Sequence, residues 1–325
     1  MKKRKMFGFG VGLFLCGVYL ANASWIAGVP EGEMSLLAHR GVHQTYHRKD
    51  LTNTTCTAAR IDAPTHDYIE NTIPSMRAAI EAGADMIELD IKLTTDGEFV
   101  VFHDATLDCR TNGSGKTHHS TLAELKALDI GYGYTADGGA TYPFRGQLIG
   151  AMPTLNEVLA EFPETRFMVN LKHSKAFEGE AYRDYLSASD APRLGLVGSN
   201  RAIAPVKAVY PNMIIQTRQD VKVCLKGYLL TGWYGGMPET CKNTYVPVPS
   251  NLRRLAWGWP HRFEQRLNEV GSRSMLSGPY DGTGMVGIDE VKQLGVIPKG
   301  YKGIVFTNKV EVVGRELNKS HISTP

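Results

Sequence analysis

The chain has 325 residues, of which 42% are apolar and 21% charged, an ordinary composition for a folded globular protein. Its formal net charge of +3 includes Lys2, Lys3, Arg4 and Lys5, so the rest of the chain is close to neutral. That leaves no basic stripe to neutralise a phosphate backbone and excludes nucleic acid as the expected partner; no segment marks an obligate protein partner either.

The first predicted element is a targeting segment over residues 1–23. Four cations precede an apolar run from Met6 to Leu20, and Ala21-Asn22-Ala23 fits a small-x-small cleavage site, with Ser24 as the first mature residue. The apolar run is about 15 residues, short of the about 20 that span a bilayer. The alternative is an uncleaved anchor through residues 6–20, which leaves the remainder on the same side of the membrane. Both readings place the protein outside the cytoplasm, periplasmic or extracellular. In that setting the four remaining cysteines, Cys56, Cys109, Cys224 and Cys241, suggest disulfides, with three possible pairings.

Ser35 to Ala38 is a short apolar strand that ends in His39-Arg40-Gly41. The insertion at about 42–69 is polar and lacks a helical period. It is too long for an ordinary connection, so it is expected to be functional or pinned, and Cys56 favours pinning. Thr72, with Pro74 in the first turn, caps a helix reaching Ala82. Ala84 to Ile91 reads as a strand in which Glu88 and Asp90, two apart, point to the same side. Two carboxylates on one buried face repel and cost desolvation, which a hard cation between them offsets; the alternative is a strand end where both reach water or pair with Lys and Arg. Thr94-Thr95-Asp96-Gly97 has hairpin chemistry, and Phe99 to Phe102 is a strand ending in His103-Asp104.

Thr121 to Glu124 has the form of a capping box. Asp129 to Arg145, rich in Gly and Tyr, reads as a loop over a mouth. A helix starts at Pro153-Thr154 and runs to Phe162, and Arg166 to Lys172 is a strand carrying Asn170 and Lys172 at its end. Later strands are expected at 194–197, 213–216, 244–248, 274–276 and 303–306, with helices at 262–270 and 289–294 between them. Strands alternating with helices imply a parallel sheet. About eight strands at this length close most economically as a (β/α)8 TIM barrel, a single domain over 24–325. A doubly wound open sheet is the alternative, weakened by the lack of Gly-x-Gly-x-x-Gly after the first strand.

Four successive strand ends are thus polar, and in a parallel barrel all of them face one mouth. Two histidines there suit general acid–base work, a cation on carboxylates suits a phosphoryl oxygen, and Arg40 and Lys172 suit a phosphate. This set fits cleavage of a phosphate ester. Carboxylates two apart on one strand cannot flank a sugar, and no Gly-x-Ser-x-Gly elbow supports a serine nucleophile.

The ordered motifs His39-Arg40-Gly41, Glu70-Asn71-Thr72, Gly83 to Asp90, Thr95-Asp96-Gly97, His103-Asp104 and Pro153-Thr154-Leu155 resemble those of glycerophosphodiester phosphodiesterases. The likeness is dense from Leu36 to Lys172 and thinner beyond, where Gly303 to Asn308 resembles the family's last strand. The resemblance implies a TIM barrel, a divalent metal (Ca2+ or Mg2+), and hydrolysis of glycerophosphodiesters to glycerol 3-phosphate and an alcohol. It implies His39 and His103 as the acid–base pair, Glu88 and Asp90 as metal ligands, Arg40 and Lys172 as phosphate contacts, and Glu70 as a polar neighbour of the substrate site.

One departure is Asn170-Leu171-Lys172, where the family usually has Glu-x-Lys; Asn170 can ligate a hard cation through its carbonyl oxygen, but without charge. In the implied barrel both Cys56 and Cys109 lie above the mouth, which pairs them and leaves Cys224 with Cys241. Two alternatives stay open: a related phosphodiesterase acting on lysophospholipids, and a non-catalytic barrel that binds phosphorylated ligands.

Overall fold

Among the described residues there are nine strands, all but β2 and β3 separated by helices: β1 (Ser35–His39), β2 (Met86–Leu93), β3 (Phe99–Val101), β4 (Arg166–Leu171), β5 (Leu194–Gly198), β6 (Ile215–Thr217), β7 (Tyr245–Pro249), β8 (Arg273–Ser277) and β9 (Ile304–Thr307). The computed structural model describes residues 2–52, 54–282 and 284–322, so Met1 of the predicted leader lies outside it. Eight strands run parallel in the order β6-β5-β4-β2-β1-β9-β8-β7. Between β6 and β7 the barrel is bridged by the Ile215 amide, which donates to the Asn243 carbonyl at 2.8 Å. The expected TIM barrel is therefore the fold.

The strand period of two sorts side chains into two cores. Ile87, Leu89 and Ile91 of β2, Phe167, Val169 and Leu171 of β4, and Leu36 and Ala38 of β1 pack outward against the helices. Leu37, Met86, Met168, Met275, Ile304 and Phe306 fill the barrel interior with Tyr245. On β1, β2 and β4 the same inward face continues upward as His39, Glu88 with Asp90, and Asn170. The apolar floor thus passes directly into a polar mouth.

One strand departs from expectation. β3 is not a barrel strand. It pairs antiparallel with the top of β2, Ile91 opposite Val101 and Leu93 opposite Phe99. β2 overshoots the barrel, turns at Asp96-Gly97, and returns, so His103 reaches the mouth from a descending chain rather than from a third parallel strand. Smaller differences lie at 291–296, a 3-10 turn where a helix was expected at 289–294, and at β6, shifted toward Thr217.

The helix caps read from sequence are present. Thr72 caps Ile73–Glu81, Thr121 caps Leu122–Lys126 and Thr154 caps Leu155–Glu161, each in a capping box. Residues 2–22 form a helix, and no helix among the described residues is long and apolar enough to cross a membrane. The following Ala23 is buried, and the Arg266 guanidinium donates to the Ala21 carbonyl and the Asn22 side chain.

Both expected disulfides form, Cys56–Cys109 and Cys224–Cys241. The second ties the helix Arg218–Thr231 to the turn before β7, across a separation of 17 residues. Closing a loop of that size restricts the unfolded chain by about 3 kcal/mol. Replacing Cys224 and Cys241 by Ser is expected to lower stability by about that amount in denaturant titration; an unchanged midpoint would show that the bridge adds nothing.

Candidate active site

The mouth is organised by Asp90, whose side chain is fully buried. Register places His39 beside Glu88 and Asp90 beside Asn170. Each Asp90 oxygen faces two nitrogens. Oδ2 lies 2.9 Å from Arg40 Nε and accepts from Asn71 Nδ2 at 3.2 Å. Oδ1 accepts from Asn170 Nδ2 at 3.1 Å and lies 3.4 Å from Lys172 Nζ. Asn71 also accepts the Asp90 amide at 3.2 Å, so it clamps that residue twice.

The turns that deliver Arg40 and Asn71 need unusual backbone. Both residues are left-handed, with φ of 61° and 59°, and their peptides interlock: the Arg40 amide donates to the Glu88 carbonyl at 2.8 Å and the Asn71 amide to the Arg40 carbonyl at 2.9 Å. The next residue, Gly41, has φ 80°, and a Cβ there would meet Ser75 Oγ at 2.5 Å and Ser75 backbone at 2.9 Å. Only glycine fits without displacing the helix cap. Thr72 Oγ1, which caps that helix, donates to the Ile69 carbonyl at 2.7 Å and so fixes the segment carrying Glu70 and Asn71.

Charges at the site are sharply sorted. Burial opposes ionisation of Asp90, but Arg40 and Lys172 outweigh it and hold its pKa well below the usual carboxylate range. Burial and the Asp90 charge push Glu88 the other way, so of the two carboxylates Glu88 is the one that takes a proton. Glu70 is buried too, yet Arg110 and Arg40 keep it ionised: Arg40 Nη1 donates to Oε1 at 3.1 Å and Arg110 Nη1 to Oε2 at 3.0 Å.

The two histidines are backed by different groups. Asn308 donates its amide Nδ2 to Asp289 at 2.9 Å, which turns its Oδ1 toward His39 Nδ1 at 2.8 Å. A carbonyl oxygen accepts only, so His39 carries its proton on Nδ1 and leaves Nε2 as a lone pair, 3.7 Å from Glu88 Oε2. Burial, then Arg40 and His43, keep His39 well below the usual histidine pKa. His103 Nδ1 instead meets Asp104 Oδ1 at 2.6 Å. Burial and Arg40 lower its pKa, while Asp90 and Asp104 oppose that fall. A carboxylate behind a histidine favours the imidazolium; an amide does so less.

Every residue singled out from sequence, His39, Arg40, Glu70, Glu88, Asp90, His103, Asn170 and Lys172, therefore belongs to one connected mouth. Sequence reasoning did not single out Asn71, Asp104, Arg110, Asn308 and Asp289. Asn71, Asp104 and Asn308 lie within the recognised motifs, where adjacency to Glu70 and His103 was an available signal. Arg110 had none beyond following Cys109.

The donors also bear on a cation. Glu88 Oε2 is buried and has no hydrogen-bond partner, and Glu88, Asp90 and Asn170 converge, with Asn170 Nδ2 lying 3.2 Å from Glu88 Oε1. Two carboxylates and one amide oxygen suit a hard divalent ion once the Asn170 amide is turned over. Among the described residues no group of three or more His, Cys, Asp or Glu side chains is arranged to hold a metal. The set is short of charge: Asn170 is neutral, and Arg40 and Lys172 already face Asp90.

Residues 39–184 match the model of the Glycerophosphoryl diester phosphodiesterase family. Over 103 residues the chain is 44% identical to a glycerophosphodiester phosphodiesterase of Caldanaerobacter subterraneus, a match covering 32% of this chain and 39% of that protein. The chain thus spans about two-fifths of the length of that relative. In fold it is similar to the glycerophosphoryl diester phosphodiesterase domain of an uncharacterized Mycobacterium tuberculosis protein, with a TM-score of 0.60, 17% identity, and coverage of 88% and 99% of the two chains. A phosphodiesterase of Oleispira antarctica in complex with the product sn-glycerol-3-phosphate aligns with a TM-score of 0.52 at 17% identity, covering 91% and 98%.

The sorted charges make stability depend on acid. Asp90, Glu70 and Asp104 have depressed folded pKa values. Their contribution is complete above the unfolded carboxylate value of about 4 and is lost as pH falls through the folded values. Glu88 has the opposite sign, and one group does not cancel three. The melting temperature is expected to fall steadily from about pH 5 to about pH 2; a flat profile across that window would contradict the assignment.

Proposed function

We propose, from its membership of the Glycerophosphoryl diester phosphodiesterase family, that this chain hydrolyses glycerophosphodiesters to glycerol 3-phosphate and an alcohol. The observation that carries the mechanism is the unequal backing of the two histidines. His39, with Nε2 free and an amide behind it, accepts a proton from the attacking water. His103, with a carboxylate behind it, gives a proton to the alcohol oxygen as its bond to phosphorus breaks. Water supplies the new phosphorus–oxygen bond, and one proton passes through each histidine. Arg40 and Lys172 hold the phosphate, and Glu70 keeps Arg40 extended toward it.

Glu88, Asp90 and Asn170 would hold a divalent ion, Ca2+ or Mg2+. When bound, such an ion polarises a phosphoryl oxygen. Because Asn170 brings no charge, this site is expected to bind its ion weakly. The basic and apolar leader, together with two disulfides, supports action outside the cytoplasm. N-terminal sequencing of the exported protein is expected to begin at Ser24; a start at Met1 would favour the uncleaved anchor.

Purified protein assayed with glycerophosphocholine tests the activity directly. Turnover is expected, to fall with EDTA and to return with added Ca2+ or Mg2+ at higher concentrations than an Asn170→Glu variant requires. No turnover under any metal would reject the enzyme and favour a binding barrel; activity indifferent to chelation would reject the metal roles. His39→Ala and His103→Ala are each expected to lower kcat by about 10²-fold or more while leaving the fold intact. A near-normal rate in either would remove that histidine from the mechanism.

A further inference from the structure

Behind His103 lies a second buried network that meets the hydrolytic machinery only through Asp104 and Glu70. Its centre is Arg110, only 3% exposed. All three of its nitrogens are used. Nε donates to Asp104 Oδ2 at 2.9 Å, Nη1 to Glu70 Oε2 at 3.0 Å and to the Tyr134 hydroxyl at 2.5 Å, and Nη2 to Thr57 Oγ1 at 2.7 Å. Asp104 has one oxygen on Arg110 and the other on His103 Nδ1 at 2.6 Å. A charge-assisted bond that holds one carboxylate oxygen restricts where the other can point. The direction of Asp104, and through it the ring of His103, is therefore set by where Arg110 sits.

What sets Arg110 is the insertion. Arg110 follows Cys109, and Thr57 follows Cys56. The Cys56–Cys109 bridge brings those two Cα atoms to 5.4 Å, so it fixes the distance across which Thr57 and Arg110 meet. Tyr134, from the Gly- and Tyr-rich loop, closes the other side and packs with Phe144 under the same bridge.

We propose that Arg110 is a positioning residue that acts on His103 through Asp104, and that the Cys56–Cys109 bridge holds it in place, so that efficient protonation of the leaving alcohol requires the oxidised insertion. This rests on the hydrolytic reading above. The consequence is specific to one step. A misplaced proton donor matters when the leaving group is a poor one, such as an aliphatic alcohol, and matters little when it leaves readily as an anion.

Two substrates read this out: glycerophosphocholine, and the p-nitrophenyl ester of glycerol phosphate. Arg110→Gln is expected to lower kcat on the first by about 10²-fold and on the second by less than about 5-fold. Because Arg110→Gln leaves Asp104 and Glu70 short of a buried partner, its folding is checked by thermal melting. Thr57→Val, and Cys56→Ser with Cys109→Ser, keep Arg110 and both carboxylates. They are expected to show the same selectivity at about 5- to 20-fold on glycerophosphocholine. Cys224→Ser with Cys241→Ser is the control and keeps the wild-type ratio of the two rates. Equal losses on both substrates, or an unchanged ratio in Thr57→Val and the Cys56/Cys109 variant, overturn the proposal and leave the bridge a loop staple. Wild-type protein that turns over neither substrate overturns the hydrolytic reading, and the proposal with it.

Discussion

A carboxylate with no exposure to water governs this molecule. Asp90 sits at the centre of the mouth, and an ionised group in that position is tolerated only when it is paired on every side. Its four nitrogen partners come from three separate parts of the chain: Arg40 just past β1, Asn71 just past the insertion, and Asn170 of β4 with Lys172 directly after it. Satisfying one side chain therefore stitches three chain segments to β2. The left-handed backbone at Arg40 and Asn71 follows from the same demand, since both residues must turn back toward Asp90 after leaving a strand and a loop. Removing one partner of such a group costs about 3–5 kcal/mol in general, because the remaining charge is left buried.

The same field divides labour between otherwise similar groups. Glu88 and Asp90 lie two residues apart on one strand, yet one is driven to hold a proton and the other to give it up. The difference is access to cations: Arg40 and Lys172 reach Asp90, whereas Glu88 Oε2 meets no hydrogen-bond partner. The histidines divide in the same way. An amide behind His39 fixes a tautomer without stabilising positive charge, and a carboxylate behind His103 stabilises it. What stands behind each ring thus sets which of the two is the better holder of a positive charge.

Asn170 shifts this balance. With a third carboxylate at that position, as the family usually has, three buried acids would face Arg40 and Lys172 and would need a cation to coexist. The amide instead bridges Glu88 and Asp90 as a hydrogen-bond donor. The mouth can hold together on its own side chains, and any ion it binds gains less from the site.

The alternation of strands and helices, the inward pairing of Glu88 with Asp90, the threonine caps and the polar strand ends were all legible in the chain, because each depends on local periodicity or on a side chain reaching its own backbone. So was the family likeness, carried by motifs that sit at those strand ends. The path of β3 was legible only in part: the hairpin chemistry at Thr94 to Gly97 pointed to a return along β2, but the apolar run by itself is the same for a hairpin strand and a barrel strand, and only pairing partners tell them apart. Arg110 was not legible: it is one arginine in a loop until the insertion folds over it and a disulfide sets Thr57 against it. Which carboxylate is charged, and that His39 is backed by the distant amide of Asn308, also depended on tertiary structure. Those properties arise from distances between residues far apart in sequence and from the exclusion of water, and neither is a local property of the chain.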